Sequence, residues 1–182
     1  MEEKRPQSHY IVDTFPLIII AFIAILAALL FPFFWRIREA SQASSCSSSV
    51  KQIDTAVLKY CGKHDGHFPP VTEWNNVIPR RYRRILRDCP KARSSKPVYA
   101  MNAKLEGLTV SSVHEPAHTV LVFESRPGEN LSGGPELLPS EPRHYDGCFV
   151  GFVDGSVKLI PKRDVGKLVW DPKAKARPQI GE

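Results

Sequence analysis

The side chains of this 182-residue chain with the greatest chemical potential are four cysteines and six histidines. Cys46, Cys61, Cys89 and Cys148 contain no CxxC pair among them. Outside the cytoplasm an even number of cysteines permits two disulfides, whereas inside it the same residues would remain four separate thiols. Composition does not decide between these alternatives.

Two groups of histidines have spacings that resemble those of metal ligands. The first is HDGH at 64–67, which we interpret as a turn at its Asp-Gly pair, with both histidines in solvent. The second is His114 and His118, which are four residues apart, but Pro116 between them argues against the helix that this spacing requires. The sequence therefore predicts no metal site.

A thiol nucleophile could lie at Cys148, which is close in sequence to His144 and Asp146. Strand alternation places Cys148 on a buried face, where cysteine usually packs as an inert small apolar residue. The sequence contains no glycine-rich phosphate loop, GxSxG elbow or HExxH motif. We expect a protein that is not an enzyme and that needs no cofactor.

A formal net charge of +6 is concentrated in PRRYRRILR at 79–87 and in the segment 162–177. The simpler interpretation of the arginine-rich run is a solvated surface, which is the usual fate of clustered charges. The alternative is a patch for nucleic acid or another polyanion, in which arginines bind phosphates and an aromatic ring stacks on a base. Its candidate residues are Arg80, Arg81, Tyr82, Arg83, Arg84 and Arg87.

The element that must anchor these groups begins with residues 15–35, which contain no charged residue and no Ser, Thr, Asn or Gln. A helix of this length spans about 30 Å, the thickness of the hydrocarbon core of a bilayer. We predict a transmembrane helix at 15–35, preceded by a cytoplasmic segment at 1–14.

The helical pattern continues without a break through residues 36–61, where Val50, Ile53, Val57 and Tyr60 form an apolar stripe. We therefore predict one continuous helix from about residue 15 to residue 60, with a kink at Pro32 as an option.

A small α/β head at 62–160 should cover that stripe, followed by a basic tail at 161–182 that frays. We expect a type I′ hairpin turn at Asp154-Gly155, and a long loop at 125–142. Cys148, with the residues two and four positions after it, should face the helix. The predicted strands are 97–101, 108–113, 119–124, 148–153 and 156–160.

These stretches, taken in order, resemble bacterial type IV pilins and type II secretion pseudopilin-like proteins that carry a prepilin-type N-terminus. The resemblance includes a C-terminal motif of histidine, nine residues and Asp-Gly, here His144 followed by Asp154 and Gly155. It covers about residues 20–160. Further matching stretches are RDCP at 87–90, YAMN at 99–102 and HEPAHTVLVFE at 114–124.

The resemblance implies an α+β, pilin-like fold in which one long N-terminal helix packs under a small antiparallel sheet. It also implies a single-pass protein of the bacterial inner membrane, with a cytoplasmic N-terminus and a periplasmic or extracytoplasmic head. Its partners would be other pilin or pseudopilin subunits and the assembly platform of a type II secretion or type IV pilus-like system. The alternative is a minor-pilin-like module that captures DNA or an acidic polymer.

The processing site of the family departs from its pattern in this sequence. Tyr10 and Phe15 occupy the positions of the glycine at which the peptidase cleaves and of the glutamate that follows it. We therefore predict that the protein keeps its first residues.

The resemblance further implies a disulfide between Cys46 and Cys89, because family members carry cysteines at these two places. The bridge would close a loop of about 44 residues, for which chain entropy predicts a stabilisation of roughly 4 kcal/mol. Cys61 and Cys148 would then be free thiols or would form a second bridge.

Overall fold

The computed structural model describes residues 9–92 and 94–174, with the side chains of 9–14, 32, 35, 81 and 82 left undescribed. A single helix, α1, covers His9–Cys61. The predicted continuous helix from residue 15 to residue 60 is thus confirmed, and it passes through Pro32. The chain divides into two compact units, one up to Ser41 and the other from Gln42 onward.

In the first unit, the described side chains of α1 from Phe15 to Phe34 are apolar and exposed. The exposed fraction reaches 66% at Phe15 and 69% at Leu29. An 18-residue window of this helix has a mean hydropathy of 3.0, and none of it is buried. By length and composition this stretch can span a membrane.

In the second unit, α1 presents a buried stripe with helical spacing of three and four residues. The predicted Val50, Ile53 and Val57 belong to it, whereas Tyr60 is only half-buried and stacks on His64 with ring centroids 3.9 Å apart. The stripe consists of Ala43, Cys46, Val50, Ile53, Val57 and Cys61.

A five-stranded, mostly antiparallel sheet packs on this stripe in the order β3-β1-β2-β4-β5, with only the β1–β3 pair parallel. The coarse expectation of an α+β chain with one long helix and a small sheet is confirmed. The strands are β1 (Tyr99–Asn102), β2 (Val120–Glu124), β3 (Ser132–Gly133), β4 (Gly147–Phe152) and β5 (Val157–Pro161).

Two strand assignments differ from the sequence prediction. The stretch 108–113 is not a strand, because Thr109 and Ser112 form a reciprocal capping box around the 3-10 helix Val110–Ser112. Conversely, the predicted loop at 125–142 contributes the short strand β3, which pairs with β1. In the first place local hydrogen bonding outweighs the hydrophobic pattern, and in the second a partner strand distant in sequence supplies the pairing.

The predicted hairpin at Asp154-Gly155 joins β4 to β5, but its turn is not type I′. Gly155 has a φ of +83°, whereas Asp154 is not in the left-handed region. The backbone N–H of Gly155 donates to Phe152 O at 2.8 Å, and the N–H of Phe152 donates to Ser156 O at 2.9 Å. The loop therefore has three residues and ends on a left-handed glycine.

The face that β4 lays on the helix is the opposite of the predicted one. Phe149 and Val153 join the core around α1, whereas Cys148, Val150 and Phe152 pack in a second core on the other side of the sheet. Both faces are buried, so alternation alone could not decide which one meets the helix.

The second core also changes the interpretation of the C-terminal segment. Leu168 and Val169 are buried, and Val169 bridges to Thr119. The expectation that the chain frays after Pro161 is therefore wrong for the segment up to residue 172, while residues 175–182 of the predicted tail lie outside the described residues. Since Cys61 and Cys148 lie in cores on opposite sides of the sheet, they form no second bridge.

Candidate functional site

Four side chains capable of binding a metal converge inside the second unit. Cys46, Cys89, Glu124 and His144 come from four separate segments of the chain, and their donor atoms all lie within 4.8 Å of one another. None is more than 4% exposed. We call these four residues the Cys-Cys-Glu-His cluster.

The donor atoms of the cluster are in direct contact with one another. The Sγ atoms of Cys46 and Cys89 lie 3.0 Å apart as two separate thiols. Cys89 Sγ is 3.7 Å from Glu124 Oε1 and 3.8 Å from His144 Nε2. The last two atoms are themselves 3.1 Å apart.

The first two members are positioned by α1 and by the segment that returns over it. Cys46 lies on the buried stripe of the helix, and Cys89 follows the 3-10 helix Arg80–Leu86. A turn orients Cys89, because the N–H of Ala92 donates to the Cys89 carbonyl at 2.9 Å. The Tyr99 hydroxyl donates to the Asp88 carbonyl at 3.4 Å, just before Cys89.

Glu124 is the last residue of β2 and points into the core beside α1. Tyr99 of β1 is its cross-strand partner. While Oε1 meets His144, Oε2 accepts the backbone N–H of Phe149 at 2.9 Å. Both carboxylate oxygens are therefore held in place, one by each neighbouring segment.

His144 is directed inward by a tight turn just before β4. The backbone groups of His144 and Gly147 exchange two hydrogen bonds, and Tyr145 between them has a φ of +52°. A Cβ on Gly147 would clash with the backbone carbonyl of Ile160, so only glycine fits beside β5. Arg143 fixes the start of the turn by donating to the carbonyls of Val98 and Ser125.

The surroundings shift the pKa values of three members of the cluster. Burial lowers the pKa of His144, but hydrogen bonds with Cys89 and Glu124 and their negative charges outweigh burial and raise it to about 9. The hydrogen bond from Cys46 lowers the pKa of Cys89, aided by His144 and Arg143, while the same bond and burial raise the pKa of Cys46. Cys89 is thus the sulfur that most readily carries negative charge.

Comparison of the chain with family models, with curated proteins and with solved structures found no match. The two cysteines that the resemblance pairs do lie side by side, and a bridge between them stays a prediction. His144 joins them in the cluster. Asp154 and Gly155, the other half of the same motif, lie instead in the β4–β5 turn.

Sequence reasoning does not single out Glu124. Its signal is a carboxylate at the end of the apolar strand 120–123, where every residue is buried. A charged residue rarely lies in such a position unless it is paired.

The arginine-rich run forms the 3-10 helix Arg80–Leu86 and the residue after it. Arg83 donates to Ile78 O at 3.3 Å and to Asn76 Oδ1 at 3.2 Å, and Arg84 pairs with Asp88 at 3.6 Å. Arg80 and Arg87 are exposed, whereas the side chains of residues 81 and 82 lie outside the described part. A polyanion-binding role for this run stays a prediction.

A second buried carboxylate lies on α1 at Asp54, which is fully buried. Neither of its oxygens has a hydrogen-bond partner among the described residues. Burial raises its pKa to about 8, Lys51 opposes the shift and Asp154 adds to it. Gly151 lies so close that a Cβ there would be 2.7 Å from Asp54 Oδ1.

Proposed function

We propose that this protein is a membrane-anchored, non-enzymatic structural subunit, similar to pseudopilins, of a type II secretion or type IV pilus-like assembly. The observation that carries the proposal is that the two parts of α1 differ in exposure. Its N-terminal part is apolar and exposed, and its C-terminal part is the buried centre of the head. A helix that serves only as an anchor needs no such continuation into the core.

Exposure of the apolar part supports placement in lipid. Each large apolar side chain left in water forgoes about 1.5–3 kcal/mol of burial free energy, and more than a dozen are exposed between Phe15 and Ile37. Because an α-helix satisfies its own backbone hydrogen bonds, the same segment is stable in a bilayer. There its side chains meet lipid tails and the equivalent helices of neighbouring subunits.

We place the protein in the bacterial inner membrane with its N-terminus in the cytoplasm and its head outside. The basic residues flanking the span are nearly balanced, with Lys4 and Arg5 before it and Arg36 and Arg38 after it. Orientation therefore rests on the resemblance. A fusion of alkaline phosphatase after residue 174 tests it, since this enzyme is active only outside the cytoplasm.

The experiment that tests the subunit role is site-specific photocrosslinking in the cells that produce the protein. A photoreactive residue at Leu29, in the exposed apolar part, should give adducts with other proteins that carry an apolar N-terminal helix. The same residue at Glu73, which is exposed on the head, is the matched control. Recovery of the protein in the soluble fraction, or adducts at Leu29 only with lipid, would contradict the proposal.

A further inference from the structure

We propose that the Cys-Cys-Glu-His cluster is a structural zinc site, with Cys46 Sγ, Cys89 Sγ, Glu124 Oε1 and His144 Nε2 as its four ligands. The proposal is independent of the proposed function, since the cluster lies wholly within the head. It departs from the expectation drawn from sequence spacing, which predicts no metal site. It also replaces the Cys46–Cys89 disulfide implied by the resemblance, because zinc binds the two sulfurs as thiolates.

The distances between the donor atoms resemble the edges of a zinc tetrahedron. Bond lengths of about 2.3 Å to sulfur and about 2.0–2.1 Å to nitrogen or oxygen give edges of about 3.8 Å for S–S, 3.6 Å for S–N or S–O, and 3.4 Å for N–O. The structure has 3.7 and 3.8 Å for two of the mixed edges and 3.1 Å for the N–O edge. The sulfurs, at 3.0 Å, must move apart by about 0.8 Å and the N–O edge must lengthen by about 0.3 Å. The two remaining edges, from Cys46 to Glu124 and to His144, lie within 4.8 Å.

The chemistry of the donor set favours zinc over other common ions. Two thiolates with an imidazole suit a borderline-soft ion, whereas calcium and magnesium require oxygen ligands. Four protein ligands and complete burial leave no open coordination position for a substrate or water. Such closed sites are structural rather than catalytic.

The outer contacts hold the ligands and balance the charge. Glu124 Oε2 is fixed by the Phe149 N–H at 2.9 Å, and the Cys89 backbone is fixed by the Ala92 N–H, which donates to its carbonyl at 2.9 Å. Two thiolates, one carboxylate and Zn²⁺ carry a net charge of −1, which the nearby Arg143 guanidinium offsets. Zinc binds the sulfurs as thiolates and His144 through a deprotonated Nε2, so the protons that these atoms carry leave to solvent on binding.

A zinc ion here would join four parts of the head that are distant in sequence. It would link α1 at Cys46 to the returning segment at Cys89, and both of them to β2 and to the turn before β4. Because binding free energy at a structural site is folding free energy, removal of the metal should loosen the whole head.

The test uses the full chain, extracted in detergent without chelator, and measures metal by mass spectrometry together with the thiol state by non-reducing peptide mapping. We expect about one zinc per chain, and Cys46 and Cys89 as reduced thiols. Cys89→Ser and His144→Asn should each lower zinc affinity by more than about 100-fold, the upper range for loss of an outer-shell partner. The matched control is Cys148→Ser, a buried cysteine outside the cluster, which should retain the metal.

A second measurement does not depend on whether the variants fold. Zinc is removed from the unaltered protein with a chelator and Co²⁺ is added, which should produce a thiolate-to-cobalt charge-transfer band and the strong visible absorption of tetrahedral cobalt. A Cys46–Cys89 disulfide in protein taken directly from cells would overturn the proposal. Reduced protein that takes up neither zinc nor cobalt would overturn it equally.

Discussion

Two carboxylates of the head are buried to the same extent but differ in their hydrogen-bond partners. Glu124 and Asp54 are both 0% exposed. Each oxygen of Glu124 has a partner, namely the ring of His144 and the N–H of Phe149. Within the described part of the chain, neither oxygen of Asp54 has a hydrogen-bond partner, and the nearby Lys51 donates to the carbonyl of Gly155.

This difference shows that burial of a carboxylate does not by itself indicate a binding site. A buried carboxylate whose oxygens are filled is part of a polar network, and removal of one partner leaves another group unpaired. In a buried carboxyl group without partners the neutral, protonated form is favoured, and burial accordingly raises the pKa of Asp54 to about 8. We therefore expect substitutions of the two residues to change stability in opposite directions.

The largest effect should come from Glu124→Ala, which leaves the buried His144 without its nearest partner. Breaking a buried ion pair at one end typically costs about 3–5 kcal/mol. The free energy of unfolding of the full chain in detergent, followed by tryptophan fluorescence in urea, should fall by this amount. Chelator and reductant should be present, so that only the contacts of the protein itself are compared.

Glu129→Ala is the control for Glu124→Ala, because Glu129 is exposed in the loop that follows the same strand. Its effect should stay within about 0.5 kcal/mol. A loss below about 1 kcal/mol for Glu124→Ala would mean that the pairing in the cluster contributes little, and the contrast with Asp54 would disappear.

The next largest effect should be a gain in stability from Asp54→Asn. With a folded pKa of about 8 and an unfolded pKa of about 3.9, Asp54 holds a proton only in the folded state between these values. Stability therefore falls by about 1.4 kcal/mol for each pH unit as the pH rises from about 4 to about 8. The variant has no such dependence, so it should be more stable by about 2–4 kcal/mol at pH 7.

The measurement is the difference in unfolding free energy between Asp54→Asn and the unaltered chain at several pH values. Taking the difference removes the contributions of titrating groups that do not act on Asp54. Lys51 and Asp154 are the charged neighbours that act on Asp54 in the folded protein. A difference that does not grow between pH 5 and pH 8 would show that Asp54 is ionised and paired in the folded protein.

Periodicity predicts the parts of this molecule that depend on one element alone. The continuous helix and three of the stripe positions, Val50, Ile53 and Val57, follow from residues that repeat every three or four positions. The hairpin at Asp154-Gly155 follows from local turn chemistry, although the turn type does not. These features require no knowledge of the rest of the chain.

The parts that depend on several segments could not be predicted in this way. The face of β4 that meets the helix is decided by Gly151, which makes room for Asp54, and by the second core that covers Cys148. Glu124 becomes part of a site only because the fold brings His144 and Cys89 beside it. A pairing of the two cysteines could be inferred by resemblance, but spacing alone gives no sign of their other two neighbours.

The smallest effect concerns the turn that directs His144 into the cluster, compared with the turn beside Asp54. The turn near Asp54 places glycine at its left-handed position, Gly155, where no side chain opposes the conformation. The turn at His144 places Tyr145 there, at a φ of +52°. Left-handed backbone costs an ordinary residue about 1 kcal/mol or more, and asparagine tolerates it better.

We therefore expect Tyr145→Asn to raise the free energy of unfolding by about 0.5 kcal/mol, since the tyrosine side chain is exposed and its loss removes little packing. Tyr145→Phe is the matched control and should change nothing, because it keeps the same backbone cost. Urea unfolding of the three proteins side by side resolves a difference of this size. If Asn destabilises the protein while Phe does not, packing of the aromatic ring stabilises the turn. The left-handed backbone at residue 145 then carries no net cost, as at Gly155.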